Sequence, residues 1–402
     1  MVATEVAPSA LERLADSHPG LEPWWDSSPL IFDAWREETL ATLQGERRTV
    51  RAEQLDRLFN RADPTSSVFV GVTSNPPLSV QAIQKDPQTW NAWTDELVRG
   101  HASATAEDLF WPTYREVVRR GAAFVRPIFD ASGQRRGYLS GQVDPRVYGD
   151  LQEMVRQAIQ MHQVAPNVMV KLPGTKEGIF AIELVTGMGI PTNATLVFTL
   201  PQMIQVAEAV KRGLARARAT GVDLSGWRSV CTMMLGRFED AKPMKQQAAE
   251  QGVELTESDV RWAGPAIFKK AYRLYQERGY ESKCLAASMR LGPTVNGRQT
   301  VRHLEELAGG GVVATIFPNI VEAWIDGYDG QTVEPRIEQE PPADVLEKLL
   351  RIPYFRDAYD EHGLTPDQFN THAAVQETST SFLQASADLL AYVQERIDAV
   401  RG

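Results

Sequence analysis

The stretch NVMVKLPGTKEGIFAIELVTGMGIPTNATLVFT, residues 167–199, decides the fold class. Val168–Val170 is an apolar run cut short by Pro173 and Gly174, which reads as a buried strand reaching its C-terminal end. Lys171 stands at that end. Thr175 then caps a helix whose apolar positions Ile179, Ile182 and Val185 recur at helical spacing, until Gly187 and Gly189 stop it. A second strand is predicted over Ala194–Phe198. Strand, helix and strand make a βαβ unit, which requires a parallel sheet covered by helices.

A lysine at such an edge has two readings. In one it is solvated, its stem on the sheet and its ammonium in water. In the other it is a Schiff-base nucleophile: desolvation disfavours the ammonium, and the free amine attacks a ketone to form an iminium that accepts electrons. Spacing alone does not choose between them.

Outward from this unit, strand-like runs alternate with helical ones. The predicted strands are Leu30–Phe32, Val68–Val72, Gly137–Val143, Val168–Lys171, Ala194–Phe198, Arg228–Met234, Cys284–Met289 and Val312–Phe317. Helical patterns over Trp90–Leu97, Val147–His162, Pro201–Ala219, Pro265–Arg278 and Arg298–Leu307 separate most of them. This alternation predicts an α/β fold, a single (β/α)8 barrel extending over residues 1–402 with additional terminal helices. Residues 1–28 are expected to be a helical segment, with a helix at Ala10–Ala15 and the Trp24–Trp25 pair as a lid on one end of the barrel. Residues 331–402 are expected to be helices packed back on the barrel, one of them starting at Thr365–Pro366. The rival, a doubly wound sheet, needs a glycine-rich phosphate loop, and neither GxGxxG nor GxxxxGK[ST] occurs.

Composition narrows the function. With 43% apolar and 23% charged residues and no apolar run long enough to span a bilayer, the chain reads as a globular protein without a membrane segment. Two cysteines are too few for a disulfide framework, and the first residues carry no secretory pattern, so a cytoplasmic setting is expected. A net charge of −10 offers no footprint for nucleic acid. An acidic protein that binds anions must gather its cations locally.

In a barrel the active site forms where strands end. The polar residues at the predicted ends are Asp33, Thr73, Ser74, Asn75, Gln142, Asp144, Lys171, Asn193, Thr195, Thr232, Arg237, Ser288 and Arg290. Two arginines, a lysine and a carboxylate round one mouth suit a phosphorylated carbonyl substrate: guanidinium forks bind phosphate, lysine forms the imine and aspartate moves a proton. Each has a structural alternative. Asp33 would cap a helix, Asn75 before Pro76 would form an Asx turn, and the arginines would be ion-pair partners.

The run VKLPGTKEGIFAIELVTGMGIPTNATLVF resembles the Schiff-base strand, and the strand after it, of the transaldolase family, class I aldolases that pass a dihydroxyacetone unit between sugar phosphates. Further motifs recur in order over about Leu30–Phe317. PLIFDAW resembles the first strand, which makes Asp33 the proton-transferring base. GVTSNPPL places Asn75 against substrate hydroxyls, and NATLVF assigns Asn193 to the donor's terminal hydroxyl and Thr195 to the catalytic water. TMMLGR puts Thr232, Met234 and Arg237 in the pocket wall, and AASMR offers Ser288 and Arg290 to phosphate. WAGPAIFKKAY and FRDAYDEHGLTPDQF resemble the larger bacterial members.

Three residues depart from the family pattern. Thr232 stands for serine, Met234 for phenylalanine, and Gln142 for the glutamate that holds water with Thr195 in most transaldolases. An amide cannot accept and return a proton. Glutamine here is typical of the related fructose-6-phosphate aldolases, which release the donor fragment, but those pair it with a strand-six tyrosine where this chain has Met234. The resemblance implies catalysis by Lys171 and Asp33, with Gln142 and Thr195 holding a water, on phosphorylated sugars, as a monomer or homodimer. No cofactor is expected, and no metal: an iminium makes a Lewis acid unnecessary, and the six histidines form no ligand pair. The alternatives are an aldolase releasing dihydroxyacetone, a homologue recruited to a specialised sugar, and a catalytically silent sugar-phosphate binder.

Overall fold

The structure is a computed structural model and describes residues 6–402. Eight parallel strands close into a barrel in the order β1-β10-β7-β6-β5-β4-β3-β2. They are β1 (Glu22–Asp26), β2 (Gly71–Thr73), β3 (Tyr138–Gln142), β4 (Val168–Pro173), β5 (Thr192–Val197), β6 (Ser229–Met234), β7 (Lys283–Ala287) and β10 (Val313–Ile316). A small antiparallel hairpin, β8 (Thr294–Val295) with β9 (Arg298–Gln299), stands outside it. The (β/α)8 barrel with added helices is therefore present, and seven of its strands overlap the predicted runs.

Alternation within each strand divides the core in two. Trp24, Tyr138, Met169, Val230, Leu285 and Val313 fill the barrel interior, whereas Trp25, Val72, Leu139, Val170, Ala194, Cys231 and Ala314 face the surrounding helices. Gly71 shows how tightly the interior is filled. Any Cβ there would overlap the Trp24 indole, so the large ring of β1 occupies the space that β2 leaves empty.

Two sequence expectations are corrected. The first strand is not Leu30–Phe32: Ser28 caps Leu30 N–H and Pro29 opens a 3-10 turn, Pro29–Ile31, that runs into the helix Phe32–Ala41. The strand is Glu22–Asp26, so the tryptophans expected to form a lid are barrel residues, Trp24 inside and Trp25 outside. The helix Ala10–Asp16 is present, held by a Ser9–Glu12 capping box, and residues 1–5 of that segment lie outside the described residues. The second correction falls on Arg298–Leu307. Asn296 and Gly297 both take positive φ, 52° and 76°, which turns the chain into the β8–β9 hairpin before a short helix, Arg302–Glu305.

Beyond residue 342 the chain is helical. The C-terminal helix Ala373–Arg401 packs on the helices Pro76–Lys85, Pro87–Gly100 and Ala106–Ala131, and reaches β5 and the turn after β3. It thus lies on the side of the barrel where strands end. Among the described residues no helix is long and apolar enough to cross a membrane.

Candidate active site

The polar ends of the strands converge inside the barrel mouth. Lys171 sits level with Gln142 of β3 and Asn193 of β5, so the three project into one layer. Lys171 is buried, and its Nζ donates to the Ser74 carbonyl at 3.1 Å. Burial pulls its pKa down from 10.5 to about 8; Asp26 opposes that pull and Arg237 adds to it. A buried lysine with an accessible neutral form is a nucleophile at neutral pH.

The carboxylate facing it is Asp26, the last residue of β1. Thr73 Oγ1 donates to Asp26 Oδ1 at 2.7 Å and lies 2.5 Å from Thr315 Oγ1. Desolvation raises the Asp26 pKa, while Lys171, the Thr73 hydroxyl, Arg237 and the Ser288 main chain hold it back. Asp33, assigned this role by the sequence reading, is elsewhere. It lies in the first turn of Phe32–Ala41, exposed, and pairs with Arg61 at 2.6 Å, where the helix dipole favours an acid. The missed residue had a signal: an apolar run, Leu21–Trp25, ending in Asp26 and followed by the turn residues Ser27, Ser28 and Pro29.

The remaining predicted residues sit as follows. Asn193 Nδ2 donates to Ser140 Oγ at 2.9 Å, and Asn193 Oδ1 accepts from Thr232 Oγ1 at 2.6 Å, which orients the amide. Among the described residues the Thr195 hydroxyl has only the weak acceptor Met234 Sδ, at 3.9 Å. It lies in an irregular part of β5 where Leu196 takes φ 53° and the register with β6 shifts. Gln142 Nε2 donates to Tyr148 Oη at 2.6 Å, and Gln142 Oε1 is buried without a partner among the described residues. Half-buried Asn75 caps the helix Pro76–Lys85 through Leu78 N–H at 3.0 Å, so the Asx-turn alternative holds for its oxygen and its amide nitrogen is left for a ligand.

Two cations mark one side of the mouth. Arg237, on the short helix Leu235–Asp240 after β6, is half-buried, with its guanidinium 5.8 Å from the Phe382 ring of the C-terminal helix. Burial, then Arg290, lower its pKa. Arg290 follows β7 and binds Asp240 at 2.8 Å, the Ser288 carbonyl at 3.0 Å and Ser288 Oγ at 3.2 Å. Ser288 takes φ 60°, a conformation that costs an L-residue about 1–2 kcal/mol. The two loops meet at Gly236, whose N–H binds the Ser288 carbonyl at 3.0 Å and where a Cβ would overlap that oxygen. Asp240 neutralises part of this charge through its bond to Arg290, and Asp240 and Asp26 both act on Arg237.

The site is thus a closed parallel barrel with a buried lysine of lowered pKa opposite a carboxylate, and two arginines at the rim. Residues 57–395 match the family described as Transaldolase/Fructose-6-phosphate aldolase, and the chain belongs to that family. Among its relatives, "Transaldolase 1" of Streptomyces avermitilis is 35% identical over 52% of this chain and 54% of its own. "Transaldolase 2" of the same organism is 30% identical over 70% and 78%. "Transaldolase" of Thiobacillus denitrificans is 33% identical over 54% and 60%. The chain spans about half the length of the first of these relatives.

Proposed function

We propose that the protein is a transaldolase-type class I aldolase that moves a dihydroxyacetone unit from a phosphorylated ketose to an aldose phosphate. The observation that carries this reading is Lys171, buried at the mouth with a pKa of about 8 and facing Asp26. The amine adds to the ketone carbonyl, and loss of water gives the iminium. Asp26 takes the proton of the hydroxyl on the adjoining carbon chain. The carbon–carbon bond breaks, its electron pair passes into the iminium to give an enamine, and an aldose phosphate leaves. The enamine then attacks the acceptor aldehyde, Asp26 returns the proton, and water releases the product from Lys171. The orphaned acceptor of Gln142 and the uncommitted hydroxyl of Thr195 suit that water, and Arg237, Ser288 and Arg290 suit the phosphate. Membership in the family and the named relatives support the same chemistry, and a cytoplasmic role in sugar-phosphate metabolism accords with it.

The test is incubation with fructose 6-phosphate, reduction with borohydride, and peptide mass spectrometry. A three-carbon adduct on Lys171 is expected; turnover with Lys171 unmodified overturns the reading. A second reading, release of free dihydroxyacetone, is favoured by the uncharged Gln142. It is tested by measuring transfer to erythrose 4-phosphate against release in the native protein and in Gln142→Glu. Transfer is expected to rise in the variant, because a carboxylate can shuttle the proton that an amide cannot.

A further inference from the structure

The mechanism leaves unused the buried hydroxyl that touches Gln142. Tyr148 lies outside every strand, at the end of the 3-10 turn Pro145–Val147, and its Oη accepts from Gln142 Nε2 at 2.6 Å. Fixing one end of an amide defines the other. With Nε2 committed, Oε1 remains a buried acceptor without a partner among the described residues, and such an atom destabilises the fold unless something donates to it. A Gln142 amide free to rotate by half a turn would present a donor and an acceptor by turns.

The tyrosine is itself held from several sides. Asp144 caps the turn through Arg146 N–H at 3.0 Å and binds Arg146 Nη2 at 2.6 Å. Arg146 also pairs with Glu107 at 2.8 Å and lies 4.2 Å from the Phe110 ring centroid. Asp144 N–H donates to Gln157 at 2.9 Å, and the C-terminal helix rests on the turn. Burial, reinforced by the neighbouring Tyr114 hydroxyl, keeps Tyr148 protonated far above neutral pH. The Gln142–Tyr148 pair therefore adds no charge beside Lys171 and Asp26.

Resting on the function proposed above, we propose that Tyr148 is a positioning residue. Its hydroxyl locks the Gln142 amide so that the carbonyl oxygen is the face presented to water during imine formation and hydrolysis. Neither the β3 sequence nor the strand-end pattern includes it, because it acts from the turn back into the barrel.

The experiment measures the single-turnover rate of imine formation between Lys171 and dihydroxyacetone, trapped with borohydride, in native protein, Tyr148→Phe, Gln142→Met and the double variant. Affinity for inorganic phosphate reports that the fold is kept. Tyr148→Phe is expected to slow trapping about 10–100-fold with phosphate affinity unchanged, the range set by misorientation of a reacting group. In the Gln142→Met background the same change is expected to cost less than about twofold, since no amide remains to orient. Equal losses in both backgrounds, an unchanged rate in Tyr148→Phe, or a parallel loss of phosphate affinity overturns the proposal. If native Lys171 is not labelled at all, the aldolase reading falls and this proposal with it; labelling with additive losses rejects Tyr148 alone.

Discussion

The pH dependence of imine formation at Lys171 follows directly from its burial. An ordinary lysine at 10.5 is neutral in about one molecule in three thousand at pH 7; at about 8 the fraction is about one in eleven. The difference is roughly 300-fold in reactive amine, equivalent to about 3 kcal/mol of differential stabilisation of the neutral form. Trapping of dihydroxyacetone with borohydride at saturating ketone, measured from pH 6 to 10.5, is expected to rise tenfold per pH unit and level off above about 8. The charges that act on Lys171 fix the signs of two variants. Asp26 raises its pKa, so Asp26→Asn moves the plateau to lower pH; Arg237 lowers it, so Arg237→Met moves the plateau to higher pH. Each shift is expected to be on the order of one unit, or about 1.4 kcal/mol. Dihydroxyacetone is the right probe because its imine forms with loss of water and without carbon–carbon cleavage, so loss of the base does not mask the titration. A native midpoint near 10, or an Asp26→Asn midpoint above the native one, would refute the reasoning.

Turnover of a phosphorylated ketose separates the two candidate aspartates: Asp26→Asn is expected to lose about 10²–10⁴-fold in kcat, while Asp33→Asn, whose exposed pair with Arg61 is worth at most about 1 kcal/mol, stays within twofold. The reverse ranking would restore Asp33 as the base. Arg237→Ala and Arg290→Ala are each expected to raise KM for phosphorylated substrates by about 10–100-fold, corresponding to the roughly 1.5–3 kcal/mol of a charge-assisted bond. Dephosphorylated analogues are expected to lose far less, and equal losses for both would make the arginines structural. Gly71→Ala forces a methyl group against the Trp24 indole and is expected to lower unfolding free energy in urea by about 1–3 kcal/mol; an unchanged midpoint would mean that the barrel interior yields.

Local chemistry in the sequence carried much of this fold. Val168–Val170 before Pro173 and Gly174, and the Thr175 cap on Gly178 N–H at 3.1 Å, specify a strand and a helix start whatever surrounds them. Repeated along the chain, such units require a parallel sheet with both faces covered, which the closed barrel provides. Lys171 was legible because a charged residue ending a buried strand demands an explanation. The first strand was not, because β1 reads Glu-Pro-Trp-Trp-Asp and two adjacent tryptophans hide the period of 2 that separates inside from outside. Only closure of the barrel assigns Trp24 to the space above Gly71 and Trp25 to the helices, and so brings Asp26 rather than Asp33 opposite Lys171. The pairing of Gln142 with Tyr148 and of Arg237 with Phe382 likewise depends on how a turn and the C-terminal helix return to the mouth. Sequence periodicity encodes which face of an element is buried. Which buried groups meet is decided by contacts between segments far apart in the chain, and there desolvation and neighbouring charge set the pKa of Lys171.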